Sequence, residues 1–405
     1  MVSLEKIAHL ADDCRFDSMG PPSASAVDPE KLRQLGEGTR HDVCASTFSP
    51  RKRTLPGICH AFTQDGRCVS LFKTLYTNRC THSCSYCTNA SSCSRKARAF
   101  SYTPEELARI TASLYRGNYV EGLFLSSGAG RDEESIMEKT IEAARILREK
   151  WAFSGYIHLK ILPGAAEHHI QEAVMLADRV SINLEAASAS HMSEICSTKD
   201  YERDIVQRQR YIRDFAASKR ESSPASAPLP AGQTTQIVVG AADESDEEIF
   251  QRIIYEYREI GVRRTYYSAF SPQPGTALQG RRAQPLWRER RLYQMDWLYR
   301  VYRFRPEEIG GAFDDGGFLY DTDPKRAIAR QMLDGPVDPN TATYQELLHV
   351  PGIGPRSAGR IVALRRTRPL SSRAELAALG VRIRRASPFL SVNGWRDTTL
   401  EMWSD

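Results

Sequence analysis

Short β-rich apolar runs alternate along this chain with longer polar segments that carry helical periodicity. Leu71-Phe72-Lys73-Thr74-Leu75-Tyr76 is the first run and Gly122-Leu123-Phe124-Leu125-Ser126 the second. Tyr156–Ile161, Arg179–Leu184, Thr235–Val239 and Arg264–Ala269 follow. The segments between them suit helices. Thr103-Pro104-Glu105-Glu106 has an N-cap threonine, proline at the first helical position and acids in the first turn, which predicts a helix running to Tyr115. Ser135 to Lys150 is rich in charge pairs four residues apart. Asp246 to Ile260 is a third helix, and Ser245 with Glu248 fits a capping box at its start. Strand and helix in regular succession predict parallel pairing with right-handed crossovers. The expected fold is therefore α/β, a partial (β/α)6 TIM-like barrel, over residues 63–280.

The flanks differ in character. Residues 1–62 read as an N-terminal extension, with a helical start at Leu4–Cys14, a Pro/Ser/Ala-rich stretch at Pro21–Val27 and a basic cluster at Arg51-Lys52-Arg53. The Ser/Ala/Pro stretch at Ser222–Ala231 reads as a surface loop before the fifth strand. Residues 281–335 form a helical linker whose aromatics, Trp287 and Trp297 among them, are expected in the core. Residues 336–405 are a separate small all-α domain.

Composition narrows the class. A chain of 405 residues holds two or three domains, and its 41% hydrophobic and 26% charged residues are ordinary for a soluble protein. No apolar stretch is long enough to cross a bilayer, and Met1–Lys6 lacks the design of a signal peptide. The expected location is cytoplasmic, with no membrane partner. The net charge of +5 is uneven: between Gly359 and Arg385 eight arginines face one acid, Glu375. A compact basic block is the electrostatic footprint of a polyanion partner.

Nine cysteines, an odd count with three crowded together, suit reduced thiols and metal better than a disulfide framework. The crowded three are Cys80, Cys84 and Cys87, spaced C-x3-C-x2-C, with Tyr86 before the third. Three thiolates so placed can hold an iron–sulfur cube and leave its fourth iron open, where ferredoxin-type sites use four cysteines. A structural zinc with Cys68 or Cys93 as fourth ligand is the alternative, although zinc sites favour two separated pairs. In parallel α/β barrels reactive groups gather at the carboxyl ends of the strands. There the sequence offers Ser126-Ser127-Gly128, Lys160, Asn183 and Glu185 on one face of the fourth strand, Gly240, and Tyr266 or Tyr267.

The C-terminal piece holds a second pattern. One helix should end at Val350, Pro351-Gly352-Ile353-Gly354 should make a tight hairpin, and another helix should start near Pro355. Amides beside a helix N-terminus suit a phosphate without reading bases. Arg356 and Arg360 add charge.

The cysteine motif with its preceding strand resembles the radical S-adenosylmethionine (SAM) superfamily. The resemblance implies a [4Fe-4S] cluster on Cys80, Cys84 and Cys87, whose open iron chelates the amino and carboxylate groups of SAM. It implies further SAM contacts from Tyr86, the backbone of Ser126, Ser127 and Gly128, the Asn183 and Glu185 side chains, and Gly240 near adenine. The segment at Ser126 lacks the glutamate of the superfamily's "GGE". Lys160 would work on the substrate. The tail, with its lead-in Asp338-Pro339-Asn340-Thr341-Ala342, resembles the helix–hairpin–helix motif, which implies DNA contacts from Gly352, Gly354, Arg356 and Arg360. From about Leu71 to Leu390 the chain resembles the DNA modification/repair radical SAM proteins linked with a uracil-DNA-glycosylase-like partner. That resemblance implies a DNA substrate and a reductant such as flavodoxin or ferredoxin. Two rival functions are tRNA modification of the methylthiotransferase or elongator type, with a second cluster on Cys14, Cys44, Cys59 and Cys68, and a non-catalytic DNA-binding scaffold with a structural metal.

Overall fold

The structure, a computed structural model, describes residues 29–39, 57–62, 68–95, 98–129, 132–224, 227–392 and 395–396. The expectations at Leu4–Cys14, Pro21–Val27 and Arg51–Arg53 lie outside these residues. The chain divides into two compact units, Met1–Glu244 with Arg252–Gln284, and Ser245–Gln251 with Pro285–Asp405.

The first unit is built on one seven-stranded sheet. Helix α1 (Pro29–Glu37) precedes strands β1 (Ile58–Phe62) and β2 (Cys68–Leu75). Then come α2 (Pro104–Arg116), β3 (Gly122–Ser126), α3 (Glu133–Glu149), β4 (Tyr156–Lys160), α4 (Glu167–Leu176) and β5 (Arg179–Ser181). After α5 (Ala189–Ile195), a π-helical stretch at Tyr201–Val206 runs into α6 (Gln207–Ser222), and β6 (Gln233–Val239), α7 (Asp246–Tyr255) and β7 (Arg264–Ala269) follow. The strands lie side by side in chain order. β2 to β7 pair in parallel, and β1 runs antiparallel along the outer edge of β2. Six parallel strands in sequence make the partial barrel, and the antiparallel edge strand is an addition that the apolar pattern did not reveal.

Local sequence accounts for the elements. Thr103 caps α2 with a full capping box to Glu106. Asp132 accepts from the Ser135 amide to start α3. The Ser245–Glu248 box forms at the start of α7. Leu71, Leu123, Leu125, Ile157, Leu159, Val180, Ile237 and Val239 are fully buried on the strands, and their apolar surface stabilises the sheet by roughly 2 kcal/mol per side chain. β5 ends at Ser181, short of the expected Leu184: the Thr235 hydroxyl donates to the Ile182 carbonyl at 2.8 Å and accepts from the Leu184 amide at 3.0 Å in place of backbone partners, and Glu185 then takes a left-handed backbone with φ of 65°. Pairing resumes there only as an isolated bridge from Glu185 to Ile237.

The second unit is helical: α8 (Leu286–Arg300), α9 (Pro306–Gly310), α10 (Pro324–Met332), α11 (Tyr344–His349), α12 (Pro355–Leu364), α13 (Arg373–Ala378) and α14 (Ile383–Ala386), closed by the short strands β8 (Ser391–Val392) and β9 (Trp395–Arg396). Asp246 and Arg288 form a buried ion pair at 2.7 Å, and the Asp246 carboxylate also accepts from the Leu319 amide. Trp297 is half exposed, against the expectation that these aromatics lie in the core.

The tail is an internal repeat. Thr343 caps α11 in a reciprocal box with Glu346, and Ser372 caps α13 by accepting from the Glu375 amide, whose carboxylate accepts from the Ser371 amide. Leu347 and Leu376 are fully buried on those helices, and Ala358 and Ala386 on the helices that follow. The turns place Gly352 at φ of 92° and Gly380 at 90°, a region that side chains with a Cβ avoid. Each turn packs on the other copy. The Arg382 amide donates to the Gly352 carbonyl at 2.9 Å, and a Cβ on Gly380 would sit 3.2 Å from Ser357 Oγ. The second turn, Leu379-Gly380-Val381-Arg382, escaped the sequence reading because arginine stands where the first has Gly354.

Candidate active site

The loop after β2 carries the three cysteines. Its first residues are tied to the neighbouring strand: the Gly128 amide donates to the Thr77 carbonyl at 2.8 Å. A Cβ on Gly128 would stand 2.2 Å from the Arg79 carbonyl oxygen. Glycine there lets the turn after β3 lie directly against the backbone leading to Cys80. Further on, the Cys87 amide donates to the Cys84 carbonyl at 3.0 Å, closing the C-x2-C turn, and the Ser91 amide donates to the His82 carbonyl.

Cys80, Cys84 and Cys87 line one open cavity at the carboxyl ends of the strands. Tyr86, Ser126, Ser127, Gly128, Lys160, Asn183 and Glu185 line the same cavity. The structure thus brings together every candidate of this site except Gly240, Tyr266 and Tyr267. Gly240 takes its positive φ of 78° to pack on Gln284, and its amide is held by Glu244. Tyr266 and Tyr267 are buried, with the Tyr266 hydroxyl accepting from Arg179. From β7 the cavity is lined instead by Ser268, Ala269 and the residues just after them.

Electrostatics tie the two walls of the cavity together. Asn183 donates to Glu185 at 3.4 Å. Lys199 Nζ lies 3.7 Å from Glu185 Oε1, with both side chains largely buried. Burial opposes the Lys199 charge, but Cys84, Glu185, Cys196 and Cys80 outweigh it and hold its pKa above the usual lysine range. Burial, then the Glu185 charge, pushes the Tyr86 phenol up. Burial pushes the Cys87 thiol up to about 11. His82, also on the cavity, bonds Thr198 through Nδ1, and its Nε2 lies 3.2 Å from the Glu133 carboxylate. Lys199, His82 and the strand residue Gln236 line the cavity and were missed in the sequence. Gln236 was findable, as a polar residue within an apolar strand; Lys199 and His82 carry no spacing signal.

The donor set fits an iron–sulfur cube. Soft thiolates select such clusters. Among the described residues no three His, Cys, Asp or Glu side chains close around a point as a single ion requires. A cube, whose cysteines sit on separate irons, needs no such convergence. Neither Cys68 nor Cys93, the proposed fourth zinc ligands, lines the cavity. Cys59 is disulfide-bonded, which departs from the expectation of reduced thiols and removes one member of the suggested second cluster; Cys14 and Cys44 lie outside the described residues.

In the second unit, Gly354 is the N-cap of α12 and supplies no side-chain cap to its first turn. Arg356 and Arg360 are exposed on that helix. The buried Lys325 amine donates to the Ile353 carbonyl at 2.5 Å, behind the turn.

A thiol trio at the carboxyl mouth of a six-stranded parallel half-barrel defines a class, and residues 74–215 match the family model of the radical SAM superfamily. The chain carries a radical SAM domain; proteins of that superfamily bind a [4Fe-4S] cluster and SAM. Residues 334–380 match the helix-hairpin-helix motif, and that motif is present in the tail. Among characterised proteins, the chain is similar to a biotin synthase of Desulforudis audaxviator (strain MP104C), 26% identical over 201 residues, which are 49% of this chain and 55% of that protein. The chain thus spans about half the length of the curated relative that it matches. Among solved structures it is similar to methylornithine synthase (PylB), at 13% identity and a TM-score of 0.41, covering 70% of this chain and 68% of that one. It is also similar to the FeFe-hydrogenase maturase HydG from Carboxydothermus hydrogenoformans, at 12% identity and a TM-score of 0.38, covering 53% and 47%. No helix among the described residues is long and apolar enough to cross a membrane.

Proposed function

We propose that this protein is a radical SAM enzyme that acts on nucleic acid, with DNA as the substrate. The observation that carries the reading is the shared cavity of Cys80, Cys84 and Cys87 with the strand-end residues Ser126 to Gly128, Asn183 and Glu185, in a chain that also has a helix–hairpin–helix tail. When bound, the cluster and SAM supply a one-electron cleavage that yields a 5′-deoxyadenosyl radical. The protein's own task is to bind, aim and exclude water. Cys80, Cys84 and Cys87 would ligate iron. The backbone after β3, which lines the cavity, would meet the SAM amino group. Asn183 and Glu185, the latter positioned by Lys199, would take the ribose hydroxyls. Lys160, on the same cavity, would face the substrate. The α12 N-terminus with Arg356 and Arg360 would hold backbone phosphate.

A uracil-DNA-glycosylase-like partner, a flavodoxin or ferredoxin reductant and a cytoplasmic location belong to the same reading. No observation favours tRNA modification over DNA. The deciding experiment traps the reconstituted protein on a mixed nucleic-acid pool with SAM and reductant, then identifies the altered nucleotide by mass. Release of 5′-deoxyadenosine that requires Cys84 is the expected result. A reconstituted protein that binds DNA yet never cleaves SAM would mark it as a scaffold.

A further inference from the structure

We propose that Cys84 and Cys196 form a reversible intrachain disulfide, a thiol-modification site set into the wall of the cysteine cavity. It rests on the reading of Cys84 as a cluster ligand. The two sulfurs are in contact at 3.3 Å, and both residues are buried, 6% and 2% exposed. The segments that carry them are clamped together. The Ser85 amide, next to Cys84, donates to the carbonyl of Ile195, next to Cys196, at 2.7 Å. The Ser83 amide donates to Thr198 Oγ1 at 3.1 Å, and the Ser83 and Ser197 hydroxyls meet at 3.4 Å.

Closing this contact to a sulfur–sulfur bond of about 2.05 Å brings the two sulfurs together by roughly 1 Å, between segments that these bonds already hold side by side. Cys84 lines the open cavity and Cys196 does not, so the roles differ. Cys84 is reached first, and Cys196 resolves.

The oxidant is a small-molecule disulfide of the glutathione type. The Cys84 thiol gives up its proton to solvent and its sulfur attacks one sulfur of the disulfide, a mixed disulfide forms and one glutathione leaves. The Cys196 thiolate then displaces the second glutathione from Cys84. The two protein thiols give up two protons and two electrons, and glutathione disulfide receives them as two thiols. The oxidised cavity keeps Cys80 and Cys87 but loses its third iron ligand, so cluster loading stops until a dithiol reductant reopens the bond. Cys84 is meanwhile kept off the irreversible steps of the thiol oxidation ladder.

The test uses the full-length chain before cluster reconstitution, treated anaerobically with oxidised glutathione, alkylated, digested and mapped by mass spectrometry. The expected product is a cross-link between the peptides of Cys84 and Cys196, cleaved by dithiothreitol. Iron uptake should fall to background after oxidation and return after reduction. In Cys196→Ala, Cys84 should instead retain glutathione. Cross-links confined to Cys80, Cys84 and Cys87, or a Cys196 that still alkylates fully, would overturn the proposal. A Cys84→Ala control separates the two levels: if it loads iron and sulfide like the parent chain, the ligand reading itself fails. If it loads none and the parent chain gives no cross-link, only the disulfide fails.

Discussion

Lys199 and Glu185 meet as a buried ion pair across the cavity, 3.7 Å from Nζ to Oε1. Removing one partner leaves the other charged and buried, at a cost of about 3 kcal/mol. Lys199→Met keeps the apolar stem and should lose about that much stability in chemical denaturation, while the double variant with Glu185→Gln should recover part of it. A Lys199→Met protein as stable as the parent would show that solvent, not Lys199, satisfies the Glu185 carboxylate.

Gly128→Ala tests the seating of the cysteine loop. The added methyl would stand 2.2 Å from a backbone oxygen of Arg79, and backbone cannot rotate away. The loop bearing Cys80 should shift. We expect iron and sulfide content per chain after reconstitution to fall sharply, with far-ultraviolet circular dichroism unchanged. Full cluster content in that variant would mean that the loop tolerates displacement.

The tail should bind DNA through phosphates. Arg356→Ala and Arg360→Ala, both at exposed positions, should each reduce the slope of log affinity against log salt by about 0.9 for duplex DNA, with no change in sequence preference. An unchanged slope in the double variant would place the DNA contact elsewhere.

Lys325 sets a pH dependence in the second unit. Burial lowers its pKa to about 7, below the ordinary lysine value of about 10.4. Between those two values the unfolded chain binds the proton and the folded chain does not, so stability rises with pH across that window; below about 7 both states are protonated and the slope vanishes. Thermal melts of the full chain from pH 7 to pH 10 should show this rise, and Lys325→Met should flatten it. Parallel pH curves for the two proteins would rule out an uncharged Lys325. The groups nearest this amine are the Tyr302 ring, 4.6 Å away, and the Ile353 carbonyl; His349, paired with Glu308, also bears on it.

The parallel half-barrel was legible because its strands announce themselves locally: Gly122–Ser126 and Arg264–Ala269 have the expected bounds. Caps at Thr103 and Ser245 were equally local. What stayed hidden was tertiary. β1 is an edge strand defined by its pairing with β2, and β5 stops early where the Thr235 hydroxyl takes the Ile182 carbonyl and the Leu184 amide. Gly240, read as a ligand contact, sits in a turn beside Gln284 and is not among the residues that line the cavity. The cysteines could be found from spacing alone. Lys199 and Cys196 could not, because the fold carries them to the cavity wall from a segment with no motif of its own.

The reciprocal packing of the two glycine turns leaves nowhere to cut the tail. Severing the chain between Leu364 and Ser372 would strip Gly352 of the Arg382 amide that bonds its carbonyl and bare Ile353 and Ala358, both now fully buried. Anyone grafting this module onto another catalyst must therefore carry it whole, from the Val337 bridge to its mate at Leu390.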